Sequence, residues 1–259
     1  MAANRERAGA VKAEPSLVSV VIPNHNCGQW LAGCIESLAG QSYERLELIL
    51  VDDGSTDGSP GIIAQLRRRF SERFERFCVI LDENNRGKLA ALNRAIPEVG
   101  GRITLTVDAD DWLAPQFVTH TLRALRNAQD GKTGFVYTDC WLVDAGGEVL
   151  AQGRARPFDA GLLSVQSYIP TCAPGLSEIF AQALPFDERI GAGCKHHVWK
   201  KVVGAGWKGL YLPEPLFYYR MHGRNLSGIG RKILSEVRQG ALTSPILSGY
   251  WPTAVLPGT

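Results

Sequence analysis

Four short apolar segments alternate with four amphipathic segments in the first half of this 259-residue chain, and this alternation strongly constrains the fold. The apolar, β-branched segments predict buried strands at residues 17–22, 46–51, 77–81 and 103–107. The segments after them carry apolar residues at helical spacing, which predicts helices at residues 27–38, 59–70, 89–96 and 115–125. Strands and helices in this order predict an α/β fold with a mostly parallel central sheet and helices on both faces.

The first two predicted helices also have recognisable starts. Asn26 precedes the first helix and is expected to cap it, while Ser59, followed by Pro60, is expected to cap the second. Trp30 falls at the helical spacing of the first helix and is assigned to its apolar face.

The second half of the chain has a different pattern, which predicts a smaller α+β region on the same sheet. Residues 144–147 form a turn between two segments that predict a hairpin, and later patterns predict a helix at 199–203 and a strand at 216–220. We therefore expect a flexible N-terminus over 1–14, one domain over 15–230 with halves at about 15–125 and 126–230, and a C-terminal helix and tail over 231–259.

The composition is that of an ordinary globular protein and excludes several classes. Hydrophobic residues make up 45% and charged residues 21%, and the formal net charge of +2 is too small to indicate nucleic-acid binding. No apolar run reaches the roughly 18 residues of a spanning helix, and the polar N-terminus lacks the apolar core of a signal peptide. We therefore expect a cytoplasmic protein whose six scattered cysteines are reduced.

Acidic residues follow two of the predicted strands, where ligands bind in open α/β sheets. Asp52 and Asp53 follow the second strand, and their carboxylates suit either a turn or hydrogen bonds to a base and ribose. Asp108, Asp110 and Asp111 follow the fourth strand, where alternate side chains share a face. Convergent carboxylates favour Mn²⁺ or Mg²⁺, so the second group predicts a metal site.

A basic segment follows the third predicted strand. Arg86 and Lys88 suit phosphate contacts, and Gly87 lets the backbone approach a ligand closely, although a plain surface turn has the same composition.

Taken together, these segments resemble one known family. LVSVVIPNHN (17–26), ILVDDGSTDGS (49–59), NNRGKLAALNRAI (84–96) and LTVDADDWLAP (105–115) have the order and spacing of family 2 glycosyltransferases of the GT-A fold. PFDERIGAG (185–193) and LYLPEPLFYYRMHGRNLS (210–227) resemble later segments of the same family. The resemblance implies a Rossmann-like GT-A domain whose first half binds a nucleotide sugar and whose second half binds the acceptor.

The resemblance also implies roles for individual residues. Asp53 would face the base, Asp108 would lie near the ribose, and Asp110 would bind the metal, with Asp111 an adjacent candidate. His222 matches a histidine that approaches the metal or diphosphate in some members, although a structural histidine is equally consistent with the sequence. The implied nucleotide-sugar residues are Pro23, Asn24, Asn26, Asp52, Asp53, Arg86, Lys88, Asn93, Asp108 and Ala109; the implied metal ligands are Asp110, Asp108 and His222.

One position departs from the family pattern. Members usually carry Glu-Asp, whose Asp is the general base, where this chain has Cys194 and Lys195. A charged lysine cannot accept a proton, so His196 and His197 are the alternative bases, together with a Lys195 neutralised by burial. Cys194 and His196 could instead hold a metal, although two ligands are too few for a structural site.

The predicted function is metal-dependent transfer of a sugar from a nucleotide diphosphate sugar to an acceptor hydroxyl, in glycan or polysaccharide biosynthesis, and the resemblance implies inversion at the anomeric carbon. A UDP-sugar donor and a carbohydrate or lipid-linked acceptor are the expected partners, and a peripheral position at the inner face of a membrane stays open. A nucleotide-sugar-binding protein with impaired catalysis is the alternative. A nucleotidyltransferase is disfavoured because residues 23–26 lack the Gly-rich basic loop that its first strand would need.

Overall fold

The first half of the molecule alternates strands and helices as the sequence predicts. The computed structural model describes residues 16–225 and 253–255. Its first elements are β1 (Val18–Asn24), α1 (Gly28–Ala39), β2 (Leu46–Asp53), α2 (Ser59–Arg69), β3 (Arg76–Asp82), α3 (Lys88–Ala95), a short 3-10 helix (Ile96–Glu98) and β4 (Ile103–Thr106). The four predicted strands and three of the predicted helices therefore lie here, with bounds that differ by two residues at most.

The rest of the described chain contributes further helices and mostly antiparallel strands. Its elements are β5 (Trp112–Leu113), α4 (Phe117–Asn127), β6 (Thr133–Val143), β7 (Val149–Arg154), α5 (Ala160–Val165), β8 (Gly175–Leu176), α6 (Ser177–Ala183), α7 (Cys194–Gly204), β9 (Lys208–Arg220) and β10 (Thr253–Val255). The predicted hairpin is β6 and β7, which pair antiparallel. β9 is longer than predicted because its prolines hid the strand pattern; Pro215 lies where the ladder to β6 shifts register.

One mixed sheet joins both halves in the order β10-β7-β6-β8-β4-β1-β2-β3, and β9 pairs with β6 and β5. The ladders of β1 with β2 and β4, of β2 with β3, and of β6 with β9 are parallel, which confirms the mostly parallel sheet. The carboxyl ends of β1, β2 and β4 therefore meet at one edge, and this edge positions the site described below.

Helices cover both faces of the sheet. On one face, Val20 and Leu48 of the strands pack with Leu31 of α1, Ile63 of α2 and Phe117 of α4. The other face is covered by α3, α5, α6 and α7, whose apolar side chains pack against the alternate strand residues, among them Val21, Ile49, Leu92, Phe180 and Trp199. Alternation along the strands thus sends successive side chains into two separate cores.

The starts of the first two helices differ from prediction. Asn26 does not cap α1: the residue before the helix is Cys27, and Gly28 N donates instead to Asp57 Oδ2 at 3.0 Å. Ser59 is the first residue of α2 rather than its cap, and its backbone N donates to Asp57 Oδ1 at 2.8 Å. One aspartate therefore satisfies the first amides of two helices, a contact between distant segments that the local sequence does not show.

The helix predicted at 199–203 begins five residues earlier, at Cys194, because Gly193 takes a left-handed conformation (φ 84°) that ends the preceding loop.

The predicted N-terminus (1–14) and most of the predicted C-terminal helix and tail (231–259) lie outside the described residues. Residues 253–255 are described, and they pair with β7 instead of remaining in an unpaired tail. Within the described part of the chain, no helix combines the length and the apolar composition that crossing a membrane requires.

Candidate functional site

A cavity of about 650 Å³ opens beyond the carboxyl ends of β1, β2 and β4. We call one side the strand wall, formed by Asp53 and residues 108–111, and the opposite set the α7 wall, formed by Cys194, Lys195 and His196. Other predicted residues that line the cavity are Pro23, Asn24, Asn26, Lys88 and His222. The topology thus brings most of the predicted site residues to one place.

The end of β1 is held by the end of β2. Asn24 Nδ2 donates to Asp52 Oδ1 at 2.9 Å, and Asp52, which is buried, also accepts from Ser55 Oγ. Asp52 does not line the cavity, so its predicted contact with the nucleotide has no counterpart in this arrangement. The buried Oδ1 of Asn24 has no hydrogen-bond partner among the described residues.

Asp53 anchors the loop that follows β3. Its carboxylate accepts from Arg86 N at 2.9 Å and from Gly87 N at 2.7 Å. Gly54 makes this approach possible: its φ is +64°, and an added Cβ would lie 2.5 Å from the carbonyl carbon of Asn84. Arg86 itself points elsewhere, since its guanidinium pairs with Glu188 at 2.7 Å and does not line the cavity.

Asn26 holds the loop after β2 in place, as Asp53 holds the loop after β3. It has a positive φ of 53°, and its Oδ1 accepts from Thr56 N at 2.8 Å and Asp57 N at 3.1 Å. Asn26 lines the cavity, but the backbone amides of the loop already use its carbonyl oxygen. The residue therefore shapes the wall of the cavity beside the loop after β2.

Three carboxylates converge on the strand wall. One oxygen from each of Asp108, Asp110 and Asp111 lies within 4.8 Å of the others. Burial raises the pKa of Asp111 well above its usual range, and the charges of Asp110 and Asp108 raise it further. A cation among these oxygens would relieve that repulsion.

Two basic groups contact the same carboxylates. Lys88 Nζ forms an ion pair with Asp108, and His222 Nε2 lies 2.8 Å from Asp110 Oδ2. Burial lowers the pKa of Lys88, but the charge and the hydrogen bond of Asp108, together with the charge of Asp110, contribute to a net upward shift. Three carboxylates with one imidazole are a donor set that suits Mn²⁺ or Mg²⁺, so the residues present fit such an ion.

An aromatic ring packs against His222, a contact that the sequence pattern did not predict. The Trp30 ring stacks on His222 with centroids 4.2 Å apart, and Arg224 lies 5.3 Å above the same indole. Arg220 lies over Trp112 at 4.6 Å, and its backbone N donates to Asp111 Oδ1. The assignment of Trp30 to the apolar face of α1 was wrong, because the ring is half-buried and lines the cavity.

The α7 wall carries no carboxylate among its described residues. Lys195 is half-buried there, and burial lowers the pKa of its ammonium to about 8, with Asp108 opposing this shift and Lys88 adding to it. The Cys194 thiol is buried, contacts Gly191 O at 2.6 Å, and has a pKa raised by burial. His196 Nε2 lies 2.6 Å from Leu163 O, which only accepts, so Nε2 carries the proton and Nδ1 is left as the acceptor.

The contacts of Cys194 and His196 bear on whether this pair could share a metal. The thiol of Cys194 and Nε2 of His196 each hydrogen bond to a backbone carbonyl. Nδ1 of His196 keeps a lone pair, but neither residue belongs to a group of three or more potential metal ligands in the described part of the chain.

Two further predicted residues lie outside the cavity. His197 Nε2 accepts from Asp187 N at 3.2 Å, and the ring packs against Phe186. Asn93 bonds to both backbone groups of Phe186 and to Glu188. Both side chains fasten the segment before α7 and do not line the cavity.

Comparisons with known proteins agree with this architecture. The family model described as Glycosyl transferase family 2 matches residues 19–182. The Bacillus subtilis (strain 168) protein EpsH, provisionally named a glycosyltransferase, is 31% identical over 246 residues, which cover 88% of this chain and 67% of EpsH. The Escherichia coli chondroitin synthase is 31% identical over 143 residues, 55% of this chain and 20% of that protein. The chain thus spans only part of the relatives it matches.

Solved structures show the same fold. The mannosyltransferase PcManGT from Pyrobaculum calidifontis, in complex with GDP-Man and Mn²⁺, superposes with a TM-score of 0.64 at 18% identity, over 92% of this chain and 69% of that one. Residues 1–349 of S. aureus TarS, in complex with UDP-GlcNAc, give a TM-score of 0.64 at 16% identity, over 90% of this chain and 71% of that one. At these identities the likeness shows the GT-A fold alone.

The fold and the family match define the class of the molecule as a glycosyltransferase. The chain belongs to glycosyl transferase family 2.

Proposed function

We propose that the chain transfers a sugar from a nucleotide diphosphate sugar to an acceptor oxygen, in a metal-dependent reaction that inverts the anomeric carbon. The observation that carries the proposal is the cluster of Asp108, Asp110 and Asp111 with His222 on Asp110. It lies at the sheet edge where open α/β sheets bind ligands.

Different residues of the chain would bind different parts of the donor. Asp53 holds the loop after β3 in place, and with Asn24 and Pro23 it forms the part of the cavity suited to the nucleoside. Asp108, Asp110 and His222 would hold Mn²⁺ or Mg²⁺, with Asp111 beneath them. A bound divalent ion supplies positive charge that neutralises a leaving diphosphate. Lys88 lies against Asp108, where its ammonium can contact a phosphate oxygen.

Two solved relatives support this assignment of the donor. PcManGT was solved with GDP-Man and Mn²⁺, and TarS with UDP-GlcNAc, on the same fold. A UDP-sugar remains our first expectation for this chain, and a role in polysaccharide biosynthesis fits the chondroitin synthase among its relatives. A carbohydrate or lipid-linked acceptor, with peripheral membrane association, remains a prediction from the sequence.

A second candidate is a nucleotide-sugar-binding protein with impaired catalysis. It is favoured by one specific observation, the absence of a carboxylate from the described α7 wall, where Lys195 stands instead. The two candidates agree on the donor and differ on turnover.

The test is release of nucleoside diphosphate from a panel of UDP-, GDP- and dTDP-sugars, with Mn²⁺ and with EDTA. Transferase function predicts binding of one donor, and release of its nucleotide that stops in EDTA. Metal-dependent binding with no release under any acceptor condition would support the impaired binder. No binding of any donor would contradict both candidates.

A further inference from the structure

The α7 wall presents positive charge where an acceptor must enter. If the donor diphosphate lies on the strand wall, the acceptor occupies the rest of the cavity, beside Lys195, His196 and Thr171. Lys88 lines the same cavity, so both ammonium groups belong to its lining. The charge of Lys88 helps to lower the pKa of Lys195, and an anion bound in the cavity beside these two groups would relieve that repulsion.

All the carboxylates among the described residues that line the cavity belong to the strand wall. Asp53 accepts from two loop amides, Asp108 pairs with Lys88, and Asp110 contacts His222. Asp111 is buried beneath them and accepts from Arg220 N. Among the described residues that line the cavity, no carboxylate remains on the side of α7 to take a proton from an acceptor hydroxyl.

An acceptor that is already an anion does not need such a base. A hydroxyl must lose its proton as it attacks, whereas a phosphate monoester has a second pKa of about 6 and is largely a dianion above that pH. An ammonium group binds a phosphate oxygen through a charge-assisted hydrogen bond, which positions it without removing a proton.

We propose that the acceptor of this enzyme attacks through a phosphate monoester oxygen, which Lys195 binds. The proposal rests on the function proposed above and names its acceptor class. A lone pair of the phosphate oxygen forms a bond to the anomeric carbon as the bond from that carbon to the diphosphate oxygen breaks. The leaving nucleoside diphosphate keeps the electron pair, no proton moves, and the product is a glycosyl phosphodiester.

The same chemistry can come from a lipid phosphate or from a soluble sugar phosphate, and matched neutral compounds test it. The probes are farnesyl phosphate with farnesol, and glucose 1-phosphate with methyl glucoside. Binding to the enzyme with UDP and Mn²⁺ is measured by calorimetry, and the glycosyl phosphodiester is detected by mass spectrometry. We expect at least one phosphate to bind more than tenfold tighter than its neutral counterpart, and the favoured pair identifies the lipid or the soluble source.

Three variants at Lys195 assign the effect to its charge. Lys195→Arg keeps a cation and should keep the preference for phosphate. Lys195→Met keeps the approximate volume and should lose at least tenfold in affinity for phosphate, while UDP binding changes less than twofold. Lys195→Asp should exclude phosphate. Thermal unfolding followed by circular dichroism confirms that each variant is folded.

The competing mechanism is a neutral hydroxyl acceptor with His196 as base. Equal or tighter binding of both neutral compounds, or an unchanged phosphate preference in Lys195→Met, would overturn the phosphate acceptor. A tenfold loss of transfer to a neutral acceptor in His196→Ala would overturn it as well. If no nucleotide sugar binds at all, it is the donor assignment that fails, so the two failures are distinguishable.

Discussion

The strand wall and the α7 wall of the cavity differ in how closely they keep to the family pattern. The strand wall carries the expected aspartates, and each contacts a partner from another segment. The α7 wall has a thiol and an ammonium group at the two positions where the family resemblance leads us to expect Glu-Asp, followed by the imidazole of His196. The ends of the strands are held in place by the sheet, so side chains there have fixed positions. The residues in the first turn of α7 can be replaced by residues of different chemistry without a change in the backbone.

The two walls also differ in charge, because the strand wall carries carboxylates and the α7 wall carries an ammonium group. Lys195 keeps a half-buried ammonium whose pKa is lowered by burial, which costs stability. Perturbed groups of this kind cluster at functional sites, which is consistent with the acceptor-binding role proposed for Lys195.

The largest expected effect is on the free energy of unfolding, because folding buries the charged side chain of Lys195. The unfolded chain keeps a lysine proton up to about pH 10.5, whereas the folded chain loses it at about pH 8. Between these values the unfolded state binds more protons, so native stability should rise with pH by up to about 3 kcal/mol from this residue. Urea unfolding of the native protein and Lys195→Met at pH 7 and pH 10 measures the difference. A stability gap that stays constant between the two pH values would contradict the burial of the charge.

A smaller loss is expected at the strand wall from Gly54→Ala. The new Cβ would meet the Asn84 backbone at 2.5 Å in a residue with φ +64°, so stability should fall by about 1–3 kcal/mol. Nucleotide binding should weaken too, because the loop that Asp53 holds must move. The matched control is Gly61→Ala in α2, where the added Cβ has open space and should be neutral or stabilising by up to about 1 kcal/mol. Equal denaturation midpoints for the two variants would argue against the close approach.

The smallest expected effect comes from the ring behind His222. Trp30→Ala removes the stacked indole, and by analogy with groups that orient metal ligands it should weaken Mn²⁺-dependent nucleotide binding about tenfold. Trp30→Phe retains a ring and should lose much less. Titration with UDP at fixed Mn²⁺ provides the comparison, and identical affinities for native protein and Trp30→Ala would remove the supporting role of the indole.

The sequence predicts the residues at the carboxyl ends of the strands well, but it predicts poorly the residues that contact them from other segments. Periodicity located β1 to β4, and so placed Asp53, Asp108 and Asp110 together. Trp30, Arg220 and Thr171 were missed because their roles arise from contacts between segments far apart in the chain. His196 and His197 are adjacent and chemically alike in sequence, yet the helical turn directs only His196 into the cavity.

The most direct test of the metal-dependent donor site is calorimetric titration of UDP into the native protein and Asp110→Asn, each with Mn²⁺ and with EDTA. Glu72→Gln, an exposed carboxylate outside the cavity, is the matched control. We expect Mn²⁺ to strengthen UDP binding to the native protein and the control, and Asp110→Asn to lose at least tenfold in that affinity. UDP binding that is the same with Mn²⁺ and EDTA, or unchanged in Asp110→Asn, would contradict a metal-dependent donor site.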